Sequence, residues 1–206
     1  ANFLRVQEQV SELAPLSRPI LVIGERGTGK ELIAERLHFL SERWDQPYIK
    51  TNCATFNENL LESELFGHEM GAFTGASKLH IGRFERANGG SLFLDELAFS
   101  SSAVQEKLLR VIEYGEFERL GGSATLKVEV RVIAATNQDL PTLAEQGKFR
   151  HDLLDRLAFD VITLPPLRHR RDDILLLAQH FAVAMCQELG RDYFAGFSHT
   201  AIDLIL

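Results

Sequence analysis

The 206-residue sequence is poor in cysteine: only Cys53 and Cys186 occur, far apart in the chain. That usage excludes a disulfide-stapled scaffold and reads as reduced cytosolic thiols, with one bridge between the two left open. No apolar run approaches the roughly 18 residues of a membrane span, so no span is expected. No charged-then-apolar leader opens the chain, which argues against export and for the cytoplasm. The first residue is Ala1 rather than Met, which reads as a trimmed chain. The seven histidines include no HExxH spacing, so no protein-ligated structural metal is expected. Basic residues are outnumbered, 22 Lys and Arg against 29 Asp and Glu, for a net charge of -7. Gripping nucleic acid wants clustered cations, so this chain itself is not expected to hold DNA. An Asn-Lys-x-Asp guanine reader is absent, which disfavours a GTPase. Internal repeats and low-complexity tracts are absent too.

What remains is an ordinary globular composition, 45% hydrophobic and 25% charged. The length suffices for one α/β domain and part of another. Phe3, Val6, Val10 and Leu13 recur at helical spacing over 3–13. Short apolar runs at 19–23, 48–52, 91–95, 131–135 and 160–164 read as strands, the last stopped by Pro165-Pro166. Helical patterns fill 30–44, 57–65, 101–114 and, in pieces, 140–157. Alternating strands and helices predict a five-stranded parallel sheet flanked by helices, spanning residues 1–166. A glycine-rich insertion occupies 66–82, and a hairpin-like one occupies 116–130. Residues 167–206 read as part of a helical lid, with helices at 172–189 and from 200 and with Gly190 as a C-cap.

Three segments carry the chemistry. Gly24-Glu25-Arg26-Gly27-Thr28-Gly29-Lys30-Glu31 lies between a predicted strand and a predicted helix. Its glycines let backbone N–H groups turn toward phosphate oxygens, and the helix N-terminus adds a favourable dipole. Lys30 suits the β- and γ-phosphates. The usual Ser or Thr after the lysine is Glu31 here, so Thr28, or Asp95 through water, must help hold Mg²⁺. Leu92-Phe93-Leu94-Asp95-Glu96 is an apolar strand ending in two carboxylates, at the sheet edge where open α/β folds bind ligands. Asp95 suits Mg²⁺ and Glu96 suits deprotonating an attacking water. A solvated strand end is the bland alternative; the pairing with the glycine loop outweighs it. Between these halves stands Gly71-Ala72-Phe73-Thr74-Gly75-Ala76, small, neutral and flexible. Phe73 has too few large neighbours in sequence for a core helix, so a loop tip is expected.

With 64–76 reading Glu-Leu-Phe-Gly-His-Glu-Met-Gly-Ala-Phe-Thr-Gly-Ala, the chain resembles the AAA+ ATPase domain of bacterial sigma-54-dependent transcription activators. The likeness covers nearly all of the sequence, and Glu31 is the family's own residue. Arg26 and the run 155–160, Asp-Arg-Leu-Ala-Phe-Asp, carry a closer likeness to the family's phage-shock (psp) branch, which lacks a receiver domain. The resemblance implies an ATPase using ATP and Mg²⁺, a homo-oligomeric ring, usually of six, and contact of Gly71 to Ala76 with sigma-54 RNA polymerase. It implies that Asn52 switches Glu96 and that Thr136 and Asn137 sense nucleotide. Arg150 and Arg156 would act as fingers into a neighbouring subunit's ATP. A second loop near Arg119 to Gly122 would work beside the first. It further implies DNA contact only through a helix-turn-helix outside this chain, and a possible inhibitory regulator.

Blander readings stand beside these. Asn52 could simply turn the chain before Cys53. Arg156 could pair with Asp152 at i,i+4, worth only about 0.2–0.5 kcal/mol, whereas a trans finger contributes roughly 10³–10⁵ in rate. Arg168, Arg170 and Arg171 read as a solvated face or domain hinge, and Trp44 as packing or the rim of a base pocket. The competing functional classes are a nucleic-acid motor, which wants basic pore residues, and a non-catalytic nucleotide switch, which the Asp95–Glu96 pair speaks against.

Overall fold

The computed structural model describes residues 2–205. Its chain order begins with α1 (Asn2–Leu13), β1 (Ile20–Ile23), α2 (Lys30–Phe39), β2 (Tyr48–Asn52) and α3 (Glu58–Phe66). There follow α4 (Arg83–Arg86), β3 (Ser91–Asp95), α5 (Ser102–Tyr114), β4 (Glu116–Glu118), β5 (Thr125–Lys127) and β6 (Arg131–Thr136). The last elements are α6 (Leu140–Glu145), α7 (His151–Leu157), β7 (Val161–Thr163), α8 (Arg171–Glu188) and α9 (His199–Ile205). Ala1, the first residue of the expected 1–166 unit, and Leu206, the last of the expected lid, lie outside the described residues.

Five strands form one parallel sheet, as expected from the alternating pattern, and they lie in the order β2-β3-β6-β1-β7. Strand pleating sends successive side chains to opposite faces. Leu21, Leu92, Leu94, Val132 and Ala134 therefore enter one core with α3, α4, α5 and α7. Ile20, Val22, Phe93, Ile133 and Ala135 enter the other with α1 and α2. Both faces are covered, which is why the strands read as unbroken apolar runs.

Helix ends follow local chemistry. Asn57 and Ser101 accept from the N–H groups of Leu60 and Val104 to cap α3 and α5. Gly115, at φ 67°, closes α5. The expected 30–44 helix stops at Phe39, because Ser41 donates back to the His38 carbonyl and the chain then turns toward Pro47. Trp44, left on that turn, is 63% exposed and is not among the residues lining the cavity beside Gly27 to Gly29. Arg131 is fully buried at the start of β6 and donates to the carbonyls of Leu13, Ala14 and Leu37. One cation thus satisfies carbonyls at the ends of two helices, where a positive charge also opposes the helix dipole.

The insertions are rooted in the first core. Phe66, Phe84 and Phe117 pack as a trio with ring centres 5.4, 5.8 and 6.1 Å apart. The short helix α4, which carries Phe84, has only four residues and no periodicity to announce it. No described helix is long and apolar enough to cross a membrane. Both cysteines are free, which removes the bridge left open by the sequence.

Replacing Phe66 by Ala removes the centre of the trio and lowers unfolding free energy by about 3–5 kcal/mol, measurable by urea titration. Burial, followed by the nearby Asp95 charge, pushes the Cys53 thiol up to about 12. Iodoacetamide at pH 8 therefore labels the partly exposed Cys186 and spares Cys53 until the chain unfolds, as peptide mass analysis would record.

Candidate active site

Parallel pairing places the ends of β1, β3 and β6 along one edge of the sheet. The loop from Gly24 to Gly29 leaves β1 and enters α2 there. Gly27 and Gly29 hold φ of 77° and 93°, a left-handed backbone open to glycine. A Cβ on Gly24 would stand 2.7 Å from the Thr28 hydroxyl. Lys30 is nearly buried, and its ammonium donates to the Gly24 and Glu25 carbonyls at 3.0 and 3.2 Å, inside the curl of the loop. The Thr28 hydroxyl donates to the Glu25 carbonyl. Glu31 points elsewhere: its carboxylate meets Lys50 at 2.7 Å.

Asp95 ends β3, and one of its oxygens accepts from the Glu96 N–H at 3.0 Å. Glu96 has φ 53° and ψ 42°, the only described non-glycine with positive φ. Such a backbone costs of order 1–3 kcal/mol and persists only where the surroundings impose it. The residue is 8% exposed, and its Oε2 is buried without a hydrogen-bond partner. Its Oε1 lies 4.0 Å from the Arg26 guanidinium. Asn52 sits in register beside Asp95 but spends its side-chain oxygen on the Ala54 N–H. This bond fits the turn-forming role weighed above and engages the side-chain oxygen, not the amide N–H₂.

At the end of β6, Thr136 is buried and its hydroxyl accepts from the Gln138 N–H. The Asn137 side-chain oxygen is buried without a partner. The strand ends thus hold two unpaired buried acceptors, Glu96 Oε2 and Asn137 Oδ1. Unpaired buried acceptors are costly to the fold unless a ligand or ordered water meets them.

Arg150 and Arg156 lie apart from this edge. Arg150 grips Asp152 with two hydrogen bonds, and Arg156 pairs with Glu113 at 2.7 Å. The Asp152–Arg156 pair considered from sequence does not form. Among the described residues, neither arginine bonds to the phosphate loop or to Glu96.

The basic run after the proline pair was not read as part of the site, yet it reaches it. Arg168 holds Glu25 by two hydrogen bonds of 2.7 and 2.8 Å, and this keeps the Glu25 carboxyl below the usual carboxylate range. Arg170 donates to the Thr28 carbonyl. Residues 168–170 are therefore pinned to the phosphate loop by two arginines whose spacing alone carries no phosphate-site signal.

The insertion 66–82 leaves through a narrow neck. Gly67, at φ 77°, and Gly82 pass so closely that a Cβ on either would lie 2.4 Å from opposing backbone. His68 and His80 then exchange backbone hydrogen bonds. Gly71 to Ala76 form a turn closed by Gly71 N–H to Ala76 O at 2.8 Å. Phe73 is 47% exposed, a loop residue as expected, with its ring edge against His68. The second loop is attached directly. Glu69 N–H donates to Leu120 O, and Arg119 reaches both Glu69 and Glu85.

The Sigma-54 interaction domain family matches residues 1–163. The chain is 65% identical over its whole length to the Psp operon transcriptional activator of Escherichia coli K12, and covers 63% of that protein. It is 54% identical over 92% of its length to the Nif-specific regulatory protein of Azospirillum brasilense, and covers 30% of it. NtrX from Brucella abortus in complex with ATP superposes with a TM-score of 0.84 at 36% identity, over 91% of this chain and 42% of that one. The chain thus spans under two thirds of the curated relatives it matches here. Family match, sheet order and phosphate loop agree: the chain belongs to the sigma-54 interaction domain family, an AAA+ P-loop NTPase domain of sigma-54-dependent transcription activators.

Proposed function

We propose that this chain hydrolyses ATP and turns each cycle into movement of the Gly71–Ala76 loop against RNA polymerase carrying sigma-54. The observation that carries the reading is Glu96: a buried, backbone-strained carboxylate with one unpaired oxygen, on the same sheet edge as Lys30. A phosphate chain would take over the Lys30 ammonium from the Gly24 and Glu25 carbonyls. Glu96 would then take a proton from the attacking water. Thr136 and Asn137 would sense the terminal phosphate from the neighbouring strand end.

Mg²⁺ suits the oxygen donors present, the Asp95 carboxylate and the Thr28 hydroxyl. Among the described residues no cluster of three or more His, Cys, Asp or Glu side chains could hold a metal by itself. That donor set fits an ion that arrives with phosphates and borrows one or two protein ligands. When bound, Mg²⁺ would neutralise charge developing on the transferred phosphoryl group.

Arg150 and Arg156 face carboxylates of their own subunit. We assign them to a neighbouring subunit's ATP in a ring, which we take to be a hexamer. The neutral, half-exposed loop tip and the net acidic charge support a protein target over a nucleic-acid one. DNA contact is left to a helix-turn-helix outside this chain, and an inhibitory partner and a cytoplasmic setting complete the reading.

Glu96→Gln keeps ATP binding and lowers phosphate release by about 10²-fold or more. Turnover near the wild-type rate removes Glu96 from the chemistry. Thr74→Ala, at the loop tip, leaves turnover intact and abolishes capture of sigma-54 in the presence of ADP and a metal fluoride. Capture that survives the substitution places the contact elsewhere.

A further inference from the structure

A cavity of about 480 Å³ opens beside the phosphate loop, with Gly27, Thr28 and Gly29 among its lining residues. Leu32 of α2 and Leu176 of α8 give it apolar sides. Such a slot suits the faces of a flat heterocycle whose phosphates run into the loop. Apolar walls hold any purine, however, and strong discrimination between bases needs polar atoms at the ring edge.

Gln7 of α1 lines the cavity and carries such an atom. Its Oε1 is buried and has no hydrogen-bond partner. Gln9, two residues on and turned toward the sheet, behaves differently: its amide donates to the Val161 carbonyl at 2.9 Å and holds α1 in place. One glutamine of this helix is committed to the fold and the other keeps an unused acceptor. Arg170 adds the matching donor on the same cavity. Its Nε is buried and unpartnered, while Nη2 is engaged with Thr28 and the guanidinium lies 4.6 Å over the Phe3 ring. An acceptor and a donor left unpaired around one slot complement a ring edge that offers an amine and a bare ring nitrogen.

We propose that Gln7 is the base-reading residue of this site, its Oε1 accepting from the exocyclic amine of adenine, with the Arg170 Nε–H directed at a ring nitrogen. The inference rests on the ATP-binding reading above and adds what selects the base. Carboxamides pair with adenine in this way in duplex recognition as well. A purine with a carbonyl in place of the amine sets acceptor against acceptor and leaves the Gln7 oxygen unpaired.

The test compares ATP with inosine triphosphate, which carries a carbonyl at the amine position. Dissociation constants are measured by calorimetry on the whole chain. The wild-type chain binds ATP about tenfold more tightly than inosine triphosphate, the worth of one good hydrogen bond. Gln7→Met keeps side-chain length and removes the amide, so it weakens ATP and narrows the gap to under about twofold. Gln7→Asn, too short to reach, narrows it as well and covers the case in which the methionine variant does not fold. Gln9→Met leaves the gap unchanged, which separates base reading from a general loosening of α1. If ATP binding is lost in Lys30→Ala but Gln7→Met and Gln7→Asn retain the full gap, Gln7 does not read the base and the ATP reading stands. If the wild-type chain binds neither nucleotide, the ATP reading itself falls.

Discussion

Everything at the site follows from strands that run the same way. Parallel pairing of β1 and β3 to either side of β6 brings three carboxyl ends to one edge, so Ile23 lies beside Thr136 and Leu94 beside Ala134 although each pair is far apart in sequence. The phosphate loop, the Asp95–Glu96 pair and the Thr136–Asn137 pair each occupy one of those ends. No side-chain contact among them creates this convergence. Backbone hydrogen bonds do, and the two apolar cores keep the sheet from shifting register.

Rigidity under the edge permits irregularity on it. Leu92, Phe93 and Leu94 are buried on both faces of β3, and one residue after the strand ends the chain enters a left-handed turn at Glu96. A strand less firmly held would relax that turn. The same division recurs beyond α3. Phe66, Phe84 and Phe117 fix the bases of the two insertions, while Phe73 at the tip stays half exposed beside His68.

The sheet, the phosphate loop, the acidic strand end and the neutral insertion were all legible in the sequence, because each is a local pattern. Alternating apolar runs and helical periods, glycines between a strand and a helix, and carboxylates after an apolar strand need no tertiary knowledge. What escaped depends on long-range meetings. Arg168 finds Glu25 across 143 positions, and Arg131 finds Leu13 and Ala14 across more than a hundred. Nothing near an arginine announces such partners. Asn52, which the resemblance ties to Glu96, also turns its oxygen to the Ala54 N–H two residues away, a bond that only side-chain geometry decides. Gln7 reads in sequence as one more polar residue on an amphipathic helix. Only its unpaired oxygen beside a cavity sets it apart.

The crossing of Gly67 and Gly82 has a consequence for how such a domain can diversify. Any side chain there would force two backbone segments apart, so the aperture is set by the main chain alone. Outward of it His68 and Glu69 still answer to His80 and the second loop, while Phe73 farther out is half exposed. A neck of this kind keeps its width whatever side chains the loop beyond it carries.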